Sequence, residues 1–264
     1  MRTLAMLGLG LMAGTAVAQA PAVQVHVVEQ REAKTGRFEA ALFPAAVQLN
    51  GAFTQHVGTF GAVTWHVRER FAFQVLGGGN WHNAESAFNA SLVENYRVEA
   101  QAAASLLWTW GVFGGVEVEP LLAKFTLLNG PLVHFGVVLG GGVGAGGTRH
   151  QLKPETATPA SYGDTGPRFM GTFAAGFRLA LGRHFTLRLD VRDVAYSARI
   201  DKVNGCSLPA LTDLIDRPGV PPESAECRGF PTQVDASLAR ALVRTPGSAV
   251  LHNVGLYVGA GFVF

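Results

Sequence analysis

The sequence predicts an all-β chain: an eight-stranded antiparallel transmembrane β-barrel with short periplasmic turns and long extracellular loops. Three observations carry this. Apolar residues recur with period two rather than 3.6 in eight segments. The connections between segments are mostly short and long in turn. The composition is rich in Gly (33 of 264 residues) and poor in charge (15% Asp, Glu, Lys and Arg), yet 48% hydrophobic. Such a balance argues against disorder. Beyond the first 20 residues no apolar run approaches the roughly 18 that a spanning helix needs. A net charge of +2 offers no basic field, so no nucleic-acid partner is expected.

The first element is an export leader. Met1-Arg2-Thr3 is a short positive start, Leu4 to Met12 is apolar, and Ala16-Val17-Ala18 is a small-x-small cleavage site. Residues 1–18 therefore read as a secretory signal peptide. A buried helix here would run uncapped into Gln19-Ala20-Pro21. Residues 19–35 read as a polar periplasmic segment and 36–264 as the barrel domain.

The strands are expected at about 38–50, 56–67, 70–81, 107–119, 131–146, 168–182, 184–200 and 249–264. In the first, Pro44 marks a bulge, because proline cannot donate to a central ladder. In the second, Val63, Trp65 and Val67 alternate with Ala62, Thr64 and His66. The third sets Phe71, Phe73, Val75 and Trp81 against Gln74 and Asn80. The fourth sets Trp108, Trp110, Val112, Val116 and Val118 against Phe113, Glu117 and Glu119. In the sixth and seventh, Phe169, Phe173, Phe177, Leu187, Leu189 and Val191 oppose Arg178, Thr186, Arg188, Asp190 and Arg192. The last alternates Leu256, Val258, Ala260, Phe262 and Phe264 with Asn253, Gly255, Tyr257 and Gly259. Connections after the second and sixth strands are tight, and the link after the fourth is about 120–130. Those after the third, fifth and seventh are long, at about 82–106, 147–167 and 201–248.

Alternation alone fits two barrels: a soluble one with its apolar face inward around a ligand, or a membrane one with that face toward lipid. Three features favour the membrane barrel. Trp65, Trp81, Trp108 and Trp110, with Phe185, Phe262 and Phe264, sit where interfacial aromatic girdles belong. The opposite faces hold Glu117, Glu119, Arg178, Arg188, Asp190 and Arg192, which should pair as an ionic ladder and plug a narrow lumen. The run Tyr257-x-Gly259-x-x-Phe262-x-Phe264 resembles the signal read by the barrel-assembly machinery, an expected partner during biogenesis.

Cys206 and Cys227 lie in one polar, Pro-rich stretch of the 201–248 loop. They read as a disulfide, with no accompanying CxxC or clustered His to make a metal site. The spelling Gly142-x-Gly144-x-x-Gly147 fits a dinucleotide fingerprint, but Pro154 follows soon after and no helix begins there. Glycines of a coiled barrel wall are the better reading. Ser197, His150 and Asp164 share no spacing that supports a catalytic trio. No catalytic residue, metal or cofactor is expected. A short helix is expected near Glu94 and Arg97–Glu99, and Asp235 is read as the cap of another over 236–244.

Several stretches, in order, resemble the outer-membrane β-barrel domain family common in myxobacteria. They are Gly36-Arg37-Phe38-Glu39, His66-Val67-Arg68-Glu69, Glu119-Pro120-Leu121-Leu122-Ala123-Lys124-Phe125, Val133-His134-Phe135 leading into Gly140–Gly144, Gly176-Phe177-Arg178 and Arg188–Asp193. The resemblance spans about 36–264 and implies a barrel in the bacterial outer membrane. It also implies contact with outer-membrane lipid and a place in the cell envelope, including subunits of gliding-motility complexes. The expected role is structural or in protein interaction, through the extracellular loops or the N-terminal segment. The alternatives are a small channel for solutes or apolar molecules and, third, a barrel enzyme acting on lipid or peptide.

Overall fold

A computed structural model of the chain describes residues 34–51, 53–86, 106–126, 132–153, 160–219, 221–222 and 224–264. The expected signal peptide, most of the 19–35 segment and the expected helix near Glu94 lie outside them. Eight strands form the wall: β1 Phe38–Asn50, β2 Thr54–Arg68, β3 Phe71–Glu85, β4 Leu106–Thr126, β5 Leu132–Lys153, β6 Ser161–Leu181, β7 Phe185–Ser197 and β8 Val250–Val263. Each pairs antiparallel with the next, and β1 pairs with β8, so the ring of eight strands closes.

The strict alternation of side chains decides the orientation. Along β8 every second residue is exposed, with Val254, Leu256, Val258 and Phe262 outward and Asn253, Tyr257 and Val263 buried inside. The same parity runs around the barrel, so the large exposed apolar side chains form a continuous outer belt. A belt of this size on a closed barrel is a lipid-facing surface. Phe38, Trp65 and Phe73 stack across β1, β2 and β3 at centroid distances of 6.2 Å, and Phe185 meets Phe262 edge-on at 5.4 Å. These rings border the tight-turn end. Trp81, Trp110 and Phe169 border the other, and from Phe73 to Trp81 the rise is roughly 20 Å for about 3.3 Å per residue and a tilt of about 40°.

Pro44 sits in a bulge, where the β1–β2 register shifts between Phe43 and Ala46. Two connections differ from the sequence reading. The β4–β5 ladder resumes after a shift at Pro120 and continues to Thr126↔Leu132, so the link shrinks to 127–131. β5 and β6 rise far beyond the apolar belt, pairing out to Lys153↔Ser161, which reduces the expected 147–167 loop to 154–160. Polar residues such as Thr148, Gln151 and Asp164 hide this extension, because a strand outside the membrane need not carry an apolar face. The β7–β8 connection contains helices α1 (Leu208–Asp216) and α2 (Gln233–Arg244).

Candidate functional site

The lumen gathers most of the buried polar chemistry of the described residues, and its composition follows from strand parity. β7 turns Thr186, Arg188, Asp190 and Arg192 inward because Phe185, Leu187, Leu189 and Val191 face lipid. By the same rule β4 contributes Glu117 and Glu119, β6 Arg178, β3 Gln74, β2 His66 and β1 Glu39. All are nearly inaccessible to solvent. Charges so placed are stable only when paired and hydrogen-bonded.

The pairing spans the lumen. The Glu117 carboxylate accepts from Arg178 Nη2 at 2.6 Å, from Gln74 Nε2 at 2.5 Å and, very closely, from Arg188 Nη2. Arg188 also reaches Asp190 at 3.2 Å. Glu39 accepts from Thr186 Oγ1 at 2.8 Å, lies 3.0 Å from His66 Nε2, and contacts Arg178 Nε at 3.5 Å. At the tight-turn end Lys34 closes the mouth. Its Nζ meets Glu119 at 3.3 Å and its backbone N–H donates to Glu69 Oε1 at 2.7 Å. Four cations (Lys34, Arg178, Arg188, Arg192) thus face four carboxylates (Glu39, Glu117, Glu119, Asp190) in one buried network.

Arg192 departs from the ladder expected of it. It is held by hydrogen bonds to Gln74 Oε1 and Thr172 Oγ1, both at 3.3 Å, and lies 5.7 Å from the Tyr257 ring centre. It sits two inward positions further along β7 than Arg188, past Asp190, and forms no ion pair with Glu117. Sequence reasoning has His66 as a lumen or rim residue, and it does lie in the lumen; it does not name Glu39, Lys34 and Gln74 as members. Glu39 was legible as the inward neighbour of Phe38, whereas Lys34 precedes any strand and carries no periodicity.

An aromatic layer lies next along the lumen. Phe60 packs on Tyr257 and on Trp108, each at 5.4 Å, and Trp108 meets Phe113 at 6.0 Å. Trp108 was expected in the outer girdle with Trp65, Trp81 and Trp110; the other three are exposed and Trp108 is wholly buried. The cause is a bulge. The β4–β5 register shifts between Trp108 and Trp110, which reverses the parity of β4 above Trp110. The Trp108 indole N–H then donates to the Trp110 carbonyl at 2.7 Å. Tyr257 and Gly259 of the expected assembly signal face the lumen, while Phe262 and Phe264 face outward.

The third layer is the β7–β8 loop. Ile200, Val203, Leu211, Ala239 and Val243 continue the barrel's buried cluster through Leu152 and Leu251. Cys206 and Cys227 are bonded to each other. Asp235 is not the helix cap expected of it; Thr232 is. Thr232 Oγ1 accepts the Asp235 backbone N–H at 3.2 Å, the N-cap bond, and donates to the Asp235 carboxylate at 2.6 Å. Asp235 also accepts from Ser161 at 2.6 Å and pairs with Lys153 at 2.9 Å, tying α2 to the tops of β5 and β6. Burial pushes its carboxyl up, and the hydrogen bonds from Ser161, Thr232 and Lys153 outweigh this and hold it down at about 2.

Among the described residues the Ser197, His150 and Asp164 side chains have separate partners. His150 Nδ1 contacts its neighbour's carbonyl at Gln151, Asp164 binds the Gly166 backbone, and Ser197 accepts from Arg199 N, so the trio Ser197, His150 and Asp164 is not assembled. Gly142, Gly144 and Gly147 lie in β5 within the β4–β5 ladder, where a side chain at Gly144 would collide with the Val112 carbonyl oxygen. They serve close strand approach. Among the described residues no group of three His, Cys, Asp or Glu is placed to hold a metal.

No protein-family profile and no curated protein matches the chain. Solved structures similar to it include the N-terminal β-barrel domain of Pseudomonas aeruginosa OprF (9% identity, TM-score 0.38, covering 87% of this chain and 98% of that one). Others are Neisserial surface protein A (12%, 0.40, 87% and 98%) and Ail, the attachment invasion locus protein of Yersinia pestis (8%, 0.37, 87% and 99%).

Proposed function

We propose that this chain is an exported outer-membrane barrel that acts through its surfaces, in envelope architecture or protein interaction, rather than by passing solutes or by catalysis. One observation carries the reading: the wall is apolar outside while the lumen is filled by a charge-balanced network, an aromatic layer and a helical loop. The tight-turn end then faces the periplasm and the β7–β8 loop faces outward. The loop, held by Cys206–Cys227 and by Asp235, is the surface a partner would read. Membership of an envelope-spanning machine such as a gliding-motility complex belongs to the same proposal and rests on the resemblance described above.

Outer-membrane extracts should contain a form that migrates faster unheated than boiled. A fully soluble mature protein would overturn the membrane reading. Planar bilayers should show no steady conductance, and pull-downs should recover envelope proteins that are lost when 201–248 is trimmed. Steady conductance by the intact protein would favour a channel instead.

A further inference from the structure

Above residue 169 two neighbouring strands part. The β6–β7 ladder begins at Met170↔Tyr196, so β6 from Ser161 to Phe169 has no β7 partner. Between this free edge and the disulfide-bearing loop lies an open cleft of about 760 Å³. Its base is Arg168, whose Nη1 donates to the carbonyls of Ser197 at 2.6 Å and Arg199 at 3.0 Å. Two carbonyls thereby fix the guanidinium, and its Nε is buried with no partner.

Three more cations line the cleft: Arg199, Lys202 and Arg228. The Arg228 side chain makes no ion pair or hydrogen bond among the described residues, while Arg199 and Lys202 are paired with Asp201 at 2.7 Å and Glu226 at 2.9 Å. Both pairs are more than half exposed, and exposed pairs hold their partners weakly, so these cations can turn to a stronger acceptor. The remaining carboxylate, Asp164, accepts its own turn's Gly166 N–H at 2.8 Å. The cleft therefore has a cation excess and a prepositioned arginine, the arrangement that recognises phosphate oxygens.

Position selects the source of the phosphate. Phe169, next after Arg168, points outward at 71% exposure, and Phe173 follows on the same face at 59%. Arg168 itself has the opposite parity to Phe169, and the cleft lies at the unpaired edge of β6 beside Phe169, where the large apolar residues of that strand's outer face end. We infer that it binds the phosphate-bearing headgroup of a lipid in the outer leaflet; this rests on the membrane reading proposed above.

The test uses the mature protein extracted in detergent, with native mass spectrometry counting retained lipid. Phosphatidic acid should be retained at about tenfold lower concentration than phosphatidylcholine of the same chains, the scale of one strong charge-assisted contact. The Arg168→Gln/Arg228→Gln variant should lose that preference. Lys202→Gln/Arg228→Gln, which leaves the Arg168 brace in place, should reduce it severalfold even if the first variant fails to fold. Arg68→Gln/Arg70→Gln, at the opposite end of the barrel, should change nothing. Equal retention of the two lipids, or an unchanged preference in the Lys202/Arg228 variant, would overturn the site. Inorganic phosphate competing as well as phosphatidic acid would overturn its assignment to lipid. Heat-modifiable migration, read on the same samples, separates these failures from failure of the membrane reading.

Discussion

Arg178 and Arg188 stand directly opposite each other in the β6–β7 register, and both guanidinium groups bind the single carboxylate of Glu117 on β4. Like charges in register repel. Their coexistence depends on an anion delivered across the lumen, so Glu117 joins walls that share no ladder. Gln74 braces the same carboxylate, and Asp190 and Glu39 take the remaining charge of the two arginines.

Removal of that carboxylate should therefore be costly. Glu117→Ala leaves two facing arginines buried, and loss of one partner from a buried pair costs about 3–5 kcal/mol. Urea unfolding in lipid vesicles, followed by tryptophan fluorescence, should show a drop of this order, and Arg188→Glu should do comparable damage. Unfolding curves that superimpose on the wild type would refute a paired lumen.

The outward belt makes an opposite demand. Val75, 57% exposed in the middle of β3, faces the hydrocarbon in the membrane reading. Val75→Arg should then destabilise the folded barrel in bilayers by about 2–4 kcal/mol, with a smaller effect in detergent. An Arg tolerated equally in both media would mean that this face does not meet lipid.

The disulfide joins residues 21 positions apart in the sequence, with α1 between them. Cys206→Ser/Cys227→Ser should loosen the loop by about 3 kcal/mol on the chain-entropy account. The barrel strands keep all their hydrogen bonds, so the change should be local. Limited proteolysis should cut within 201–248 in the variant while the heat-modifiable barrel core persists. Loss of the core as well would make the loop part of the barrel's own folding unit.

Asp235 gives a pH dependence with a definite sign. Its carboxyl is lowered from 3.8 to about 2 in the folded protein, so its contribution to α2 docking is present above about pH 4 and disappears as pH falls toward 2. Asp235→Asn should weaken docking by about 1 kcal/mol at neutral pH, the scale of a lost cap interaction, and abolish that acid step. Hydrogen exchange at the amides of α2 reports both. An acid step that survives in the variant would assign it to another group.

The wall was legible because membrane strands repeat every two residues, and Phe185 to Arg192 can be sorted into two faces by eye. Where the pattern breaks, sequence reading breaks with it. One extra residue near Thr109 sends Trp108 inward, and parity counted from Trp110 cannot register it. Extensions of β5 and β6 beyond the belt carry no apolar signature. Lys34 enters the lumen from outside any strand, and the two arginine partners of Glu117 lie 61 and 71 residues away along the chain.

Local alternation, turn residues and composition determined by themselves that this protein is an eight-stranded barrel with charges on one face and apolar groups on the other. Alternation is unchanged when a barrel is turned inside out, so it could not say which face was the core. The aromatic bands, the opposed charges and the terminal run already favoured the apolar face outward, and closure supplies the physical reason: a ring of eight strands has room inside for one set of side chains, and the charged set fits there only because its members pair across the lumen. The apolar set, left outside, gives the protein its membrane-facing surface.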